Sequence, residues 1–211
     1  KMIAHFNCTG DWAFYLEADE VVHERDLPAV AKGMERYLDR PEVEALAFDY
    51  LHFYGTPSQV ADSPAWYRKA VRIVRNAVRI YSPDGLFFAV LGSNLRGRYP
   101  TAAAVGVPIY HYGHVRSVAN MARKVSGAGQ FWGGPSGSFG GYGRIDPQVI
   151  RPFAGAHPAV VREWLVSEAE QEWQPDPGYR LSGRERRHRM MMWMERTFGL
   201  ELSKKHFRLV D

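Results

Sequence analysis

The chain has 211 residues, of which 45% are hydrophobic and 24% are charged, and its formal net charge is +4. These fractions are close to globular averages, so they exclude a wholly disordered or fibrous chain. A single cysteine, Cys8, excludes an internal disulfide framework, and no run of about 18 apolar residues predicts a spanning helix. We therefore expect a protein of the reducing cytoplasm without a transmembrane segment.

The first forty residues predict a helix, a strand and a second helix. Residues 1–8 have a helical pattern, for which Gly10 is the expected C-terminal stop. The apolar run Trp12–Leu16 predicts a short buried strand. Asp26-Leu27-Pro28 then opens a helix whose apolar residues recur at spacings of three and four until Asp39.

The region up to residue 131 predicts three more strands and another helix. Strands are expected over 43–54, 70–74 and 105–112, a polar loop over 56–64 and a helix over 117–131. Pro108 lacks a backbone N–H, which favours an edge or boundary position for the last of these strands.

The character of the sequence changes after residue 131. Residues 133–143 hold six glycines, which predicts a loop or linker. Helical patterns follow, one opened by Pro158 and another by the capping-box sequence Ser182-Gly183-Arg184-Glu185. We therefore predict an α/β domain over 1–131, a Gly-rich segment over 132–146 and a helical C-terminal extension over 147–211.

Three acidic residues, Glu17, Asp19 and Glu20, follow the strand predicted at Trp12–Leu16. Ligands bind at the carboxyl ends of strands in open α/β sheets, and clustered carboxylates repel one another unless a cation lies among them. Oxygen ligands of this kind suit Mg²⁺ or Mn²⁺. The alternative is an acidic helix N-terminus, where the helix dipole favours acids.

Several later segments also contain residues suited to chemistry or binding. His111 and His114 end a predicted strand two positions before Arg116, and their spacing of three predicts that they face opposite ways. Asp49 and His52 are candidate general bases in an aromatic strand that could stack on a sugar. Each of these residues has strand packing as its alternative role.

A basic segment precedes the C-terminus, with arginines at 180, 184, 186, 187 and 189. Such a helix can contact nucleic acid or anionic lipid, although a solvated helix face is the commoner reason for this pattern. Nucleic acid therefore ranks last among the partners that we expect. The chain carries no Walker loop, GxSxG, GxGxxG or CxxC motif, which argues against the enzyme and zinc-ribbon classes built on them.

The segment GDWAFYLEADEVVHE, residues 10–24, resembles family 2 glycosyltransferases of the GT-A fold. Those proteins carry Gly-Asp-Trp, an apolar strand and then Asp-x-Asp-Glu. The later segments DYLHFYG, WYRKAVRIVRN, IYHYGHVR and PFAGAHP are similar to one bacterial subgroup of them. The resemblance implies an α/β fold with a GT-A-like mixed sheet flanked by helices. It also implies that the N-terminal βα units, which hold the nucleotide, are missing before residue 1.

Transfer of a sugar from a nucleoside-diphosphate donor to a hydroxyl acceptor, with Mn²⁺ or Mg²⁺, is the activity that the resemblance implies. By residue, it implies metal ligands at Asp19 and His111, donor contacts at Glu17, Glu20, His114 and Arg116, a catalytic base at Asp49 or Asp84, and acceptor contacts at His52, Tyr54, Trp66 and His157. Glu17 departs from the family pattern, in which the first acid of the motif is Asp.

A non-catalytic binding or assembly module derived from such an enzyme is the alternative function. The expected missing half predicts weak or no transfer by these residues alone. It also predicts an exposed apolar sheet edge near Trp12–Leu16, which a partner chain would cover or which would promote aggregation. The sequence leaves the donor, the acceptor and the oligomeric state open, a homo-oligomer included.

Overall fold

A computed structural model describes residues 2–83, 85–132, 137–170 and 172–210, with only the backbone described for 128–132. The chain forms two compact units, each assembled from segments that are distant in sequence. Unit 1 comprises Lys1–Tyr50, Tyr67–Ile109 and Lys204–Asp211, and unit 2 comprises Leu51–Trp66 and Tyr110–Ser203.

Strands predominate in the first half of the chain, and helices are more frequent in the second half. The α-helices are α1 (Met2–Phe6), α2 (Leu27–Arg36), α3 (Val118–Trp132), α4 (Arg162–Glu168) and α5 (Gly183–Phe198). The strands are β1 (Trp12–Phe14), β2 (Glu20–Val22), β3 (Ala45–Tyr54), β4 (Thr56–Ala61), β5 (Lys69–Arg75), β6 (Ile80–Tyr81), β7 (Ala89–Leu91), β8 (Gly97–Arg98), β9 (Thr101–His114), β10 (Ile150–Pro152) and β11 (Arg208–Leu209). Short 3-10 helices lie at Glu24–Asp26, Pro147–Val149 and Ala159–Val161.

The sheet of unit 1 is mixed. β5 pairs antiparallel with β1 on one side and with the first half of β3 on the other, while β11 pairs parallel with β9. Both faces of β3 are covered because its side chains alternate: Leu46 and Phe48 join one apolar cluster, and Ala45 and Ala47 join another. Val30 of α2 packs into the first of these clusters.

Strand β1 pairs with β5 and is terminal in the strand order, at the edge that was predicted near Trp12–Leu16. Trp12 and Ala13 are buried, whereas Phe14 and Leu16 are 41% and 38% exposed. The apolar exposure at this edge is thus confined to alternate residues.

Unit 2 begins with a hairpin where a loop was predicted. Residues 56–61 form β4, which pairs antiparallel with the end of β3 and with β10. The loop prediction for 56–64 is wrong here because hydrogen bonds to two neighbouring strands override the weak strand propensity of a polar sequence. The turn depends on Gly55, whose φ of +72° is in the left-handed region.

The second half of unit 2 is helical. Ser182 and Glu185 form the predicted capping box, because each side chain bonds the other residue's backbone N–H. Helix α5 ends at Gly199 in the left-handed conformation. The predicted consecutive boundaries at 131 and 146 are not the boundaries of the two units, which interleave along the chain.

The structure confirms a mixed α/β protein with a mixed sheet. Within the described ranges, every helix is too short or too polar to cross a bilayer.

Candidate functional site

The acidic residues of the GDWAFYLEADE segment form a tight turn between β1 and β2 of unit 1. The Glu20 backbone N–H donates to the Glu17 carbonyl at 3.0 Å, and the Glu17 N–H donates to the Glu20 carboxylate at 3.1 Å. Glu17 and Asp19 are half-buried, whereas Glu20 is buried. The turn therefore leaves Glu17 and Asp19 partly exposed and buries Glu20, and a Glu17 carboxylate oxygen lies 3.9 Å from Nη2 of Arg72.

Glu20 is held by a buried ion pair with Arg72 of β5. The guanidinium donates from Nε to Oε2 at 2.8 Å and from Nη2 to Oε1 at 2.6 Å, and the Tyr50 hydroxyl donates to Oε1 at 2.8 Å. Burial alone would raise the pKa of Glu20, but the hydrogen bonds and charge of Arg72 outweigh it and leave the pKa below its ordinary value. Glu20 is thus ionised and fixed in place.

Two tyrosines lie near the same carboxylates. Burial raises the pKa of Tyr67 to about 12, with the negative charges of Glu20, Glu17 and Asp19 adding to the effect. Burial and the charge of Glu17 likewise raise the pKa of Tyr15. Both hydroxyls therefore stay protonated near neutral pH and can act as hydrogen-bond donors.

A small cavity of about 110 Å³ opens beside Glu17 within unit 1. Its polar lining comes from Glu17, Tyr67, Lys69, Arg72 and His206, and Phe87, Phe88 and Phe207 supply apolar walls. The volume suits a small polar group and is below the roughly 300 Å³ at which ligand pockets usually begin.

The two predicted catalytic bases differ in outcome. Asp49, on β3, forms an ion pair with Lys69, and its side chain is 42% exposed. Asp84 lies outside the described residues.

Three histidines that were predicted as acceptor, metal and donor contacts, His52, His111 and His114 respectively, cluster in unit 2. His52 Nδ1 lies 3.0 Å from His111 Nδ1, so one ring donates and the other accepts. The His114 ring centroid is 6.2 Å from that of His111. The prediction that His111 and His114 face opposite ways is wrong, because the Val115 N–H bonds the Tyr112 carbonyl at 3.0 Å and the extended alternation ends there.

Trp66 connects the members of this cluster. Its ring centroid lies 5.1 Å from His52, 5.1 Å from His114 and 6.1 Å from Tyr54. Three of the four predicted acceptor residues, His52, Tyr54 and Trp66, are therefore neighbours. We call His52, Tyr54, Trp66, His111 and His114 the histidine cluster.

The other two predicted contacts in unit 2 also have partners. His157 Nδ1 lies 2.9 Å from the Tyr112 hydroxyl, and its ring packs 5.1 Å from Phe53. The Arg116 backbone carbonyl and N–H both bond the hydroxyl of Tyr142, at 3.0 and 3.3 Å.

The carboxylates of the acidic turn fit a divalent cation only as a partial ligand set. Across the described ranges, no three His, Cys, Asp or Glu side chains are arranged to hold a metal ion. Mg²⁺ is commonly bound by one or two carboxylates together with substrate phosphates, and Glu17 and Asp19 supply that number of oxygen-bearing side chains. The two predicted metal ligands lie in different units, Asp19 in unit 1 and His111 in unit 2.

Sequence reasoning missed Arg72, Tyr50 and Tyr67. Arg72 is 2% exposed although it lies in a strand whose other central residues are apolar. An arginine inside an apolar strand is the signal that could have found it, because a buried guanidinium needs an acidic partner.

Comparisons with known proteins identify no relative of this chain. No protein-family model matches the chain, and neither a curated protein nor a solved structure matches it.

Proposed function

We propose that the chain acts in glycosyl transfer, moving a sugar from a nucleoside-diphosphate donor to an acceptor hydroxyl with the help of a divalent cation. The observation that carries the proposal is the acidic turn. Glu17 and Asp19 lie in the turn between β1 and β2, and Glu20 is held in an ion pair with Arg72. A fixed turn that presents two carboxylates at the end of a strand suits a cation-bridged diphosphate.

The residues of the acidic turn would hold the cation, with Asp19 as the main ligand and Glu17 beside it. When bound, the cation would offset the negative charge that develops on the leaving diphosphate. Arg72 fixes the turn through Glu20, so neither carboxylate has to reorganise when the donor arrives.

Lys69 and Tyr67 would contact the donor from the small cavity beside Glu17. The Lys69 ammonium can donate to phosphate oxygens, and the protonated Tyr67 hydroxyl can donate to phosphate or sugar oxygens. These donors provide the positive and polar complement that the acidic turn lacks.

The histidine cluster is our candidate acceptor site. Trp66 and His114 are partly exposed, so their rings are the members of the cluster that would contact a sugar. His52 and Tyr54 are only 3% and 8% exposed and would support those rings from within unit 2. Holding the acceptor in one orientation would supply a large part of the rate of transfer.

Asp49 and Asp84 remain the candidate bases. The Asp49 carboxylate is already engaged in an ion pair with Lys69, which competes with its use as a base. A non-catalytic module that binds donor without transfer is therefore the second candidate function.

A transfer assay tests the proposal. The protein is incubated with Mn²⁺, a mixture of hydroxyl acceptors and, in separate reactions, radiolabelled UDP-, GDP- and dTDP-sugars. We expect weak transfer of label from one donor class, with transfer lost in Asp19→Asn and unchanged in the matched variant Asp39→Asn, which alters an exposed aspartate of the same unit.

The other results are informative as well. Manganese-dependent donor binding without transfer would support the binding module. Equal transfer by wild type and Asp19→Asn would contradict the proposed site.

A further inference from the structure

Helix α5 separates its charges between two faces. The residues directed outward include Arg186, Arg187, Met190 and Trp193, all of them exposed. Met192, on the opposite face, is buried. At 100° per residue, positions 186, 187, 190 and 193 fall within about 120° of the helix circumference, so they share one face.

Both acidic residues of α5 lie away from this outward face and are engaged in holding the fold. Glu185 bonds Ser182 and the Tyr179 hydroxyl, and Glu195 accepts from the Leu202 N–H at 2.7 Å. Among the described residues, no acid forms an ion pair with Arg186 or Arg187. The outward face therefore carries uncompensated positive charge.

The exposed apolar residues of this region are gathered at the C-terminal end of the same helix. Met190, Trp193 and Phe198 are 57%, 59% and 63% exposed, and Leu200, just past the helix, is 51% exposed. The Trp193 and Phe198 rings contact each other edge-on with centroids 6.0 Å apart. We call Arg186, Arg187, Met190, Trp193, Phe198 and Leu200 the α5 face.

The arginines and the apolar residues of the α5 face lie at different positions along the helix axis. At a rise of 1.5 Å per residue, Phe198 lies about 17 Å beyond Arg187 and Trp193 about 9 Å beyond it. The headgroup layer of a bilayer is roughly 5 to 8 Å thick on each side. If the C-terminal end of the helix dips into the layer, the apolar residues reach the acyl boundary while the arginines stay among the headgroups.

We propose that the α5 face docks this protein on an anionic membrane surface. Positive charge without acid favours an anionic partner, and exposed Trp, Met and Phe beside it favour an interfacial lipid layer over the phosphates of a duplex. Indole rings accumulate at the membrane interface, whereas a nucleic-acid contact would leave Phe198 and Leu200 in water.

Vesicle co-sedimentation of the full chain tests this proposal and requires no nucleotide sugar. Vesicles of phosphatidylcholine alone are compared with vesicles that contain 30% phosphatidylglycerol, at a physiological salt concentration. We expect binding to the anionic vesicles only. The variant Arg186→Glu/Arg187→Glu should bind at least thirtyfold more weakly, since each basic residue near the surface contributes about fivefold.

Matched variants separate the α5 face from general effects of charge and exposure. Lys32→Glu/Arg36→Glu makes the same change in net charge on the exposed side of α2 and should leave binding within twofold of wild type. Trp193→Ser should weaken binding at least fivefold, whereas Val166→Ser, at a residue 79% exposed on α4, should not.

Three results would overturn the proposal. The first is equal binding to both kinds of vesicle or to neither. The second is an equal effect of the α2 and α5 charge reversals. The third is salt-sensitive binding to duplex DNA or RNA that needs Arg186 and Arg187 but is indifferent to Trp193→Ser, which would assign the face to nucleic acid.

Discussion

Arg72 donates hydrogen bonds to both oxygens of the Glu20 carboxylate inside unit 1, with N···O distances of 2.8 and 2.6 Å. Both side chains are almost fully buried. Tyr50 adds a hydroxyl bond to the carboxylate, and the Arg72 guanidinium carbon lies 5.2 Å from the centre of the Tyr50 ring. This ion pair fixes the turn that presents Glu17 and Asp19.

Breaking the ion pair from either side should destabilise the protein strongly. We expect Glu20→Gln and Arg72→Met each to lower the free energy of unfolding by about 3 to 5 kcal/mol, because each leaves an uncompensated buried charge. Urea unfolding followed by circular dichroism measures the change. Glu35→Gln, at an exposed site on α2, is the control and should cost less than about 0.5 kcal/mol. A cost below 1 kcal/mol for both ion-pair variants would contradict this account of the turn.

Stability should fall in acid through Glu20 and Asp146. The pKa of Asp146 is lowered by hydrogen bonds from Arg189, and that of Glu20 is lowered by Arg72 against the opposing effect of burial. A carboxyl with a depressed folded-state pKa contributes stability above its unfolded pKa of about 4 and loses it as the pH falls through the folded value. We therefore expect the melting temperature to be steady from pH 7 to 5 and to drop below about pH 4.

The Glu20→Gln variant provides the check on this pH dependence. Its melting temperature should change less between pH 5 and pH 3 than that of wild type, because one of the carboxyls with a lowered pKa is gone. An unchanged acid slope in the variant would show that Glu20 is not linked to stability in this range.

Gly55 should tolerate no side chain at the β3–β4 turn. Its φ is +72°, and a Cβ there would lie 3.1 Å from Cδ1 of Trp173. We expect Gly55→Ala to lower the free energy of unfolding by about 1 to 3 kcal/mol. Gly127→Ala is the contrast, because a Cβ in helix α3 meets nothing within 4 Å and should stabilise by about 0.5 to 1 kcal/mol. Equal effects at the two sites would contradict the strain argument.

The Asp146–Arg189 ion pair should hold α5 in unit 2. Arg189 donates to both oxygens of the buried Asp146 carboxylate at 2.6 and 2.7 Å, and Asp146 also caps the 3-10 helix through the Gln148 N–H. We expect Asp146→Asn to cost about 1 to 3 kcal/mol. Ser182→Ala, which removes only the helix cap, should cost about 1 kcal/mol. Hydrogen exchange of the α5 backbone amides measures the effect of both variants. Unchanged amide protection in Asp146→Asn would contradict the anchoring role of the ion pair.

Local patterns in the sequence predicted the elements that depend on local chemistry. The capping box at Ser182 and the strand at Trp12 both follow from neighbouring residues. Strand β4 was missed because its hydrogen bonds go to β3 and β10, the latter about ninety positions away. The interleaved units could not be predicted from the sequence for the same reason, because they depend on pairings between distant segments.

The candidate site likewise contains residues that the sequence predicted and contacts that it did not. The acids of the turn and the histidines were found from their residue types. The bond between His52 and His111 joins residues 59 positions apart, and Arg72 meets Glu20 across 52 positions. No spacing rule reaches such distances.

The central claim is that the acidic turn holds a cation-bridged nucleoside diphosphate, and calorimetry tests it most directly. UDP and GDP are titrated separately into the protein with Mn²⁺ and without it, for wild type, Asp19→Ala and the control Asp39→Ala. We expect one nucleotide to bind only with Mn²⁺, at least tenfold more weakly to Asp19→Ala, and unchanged to Asp39→Ala. Binding of neither nucleotide, or equal binding by wild type and Asp19→Ala, would contradict the claim.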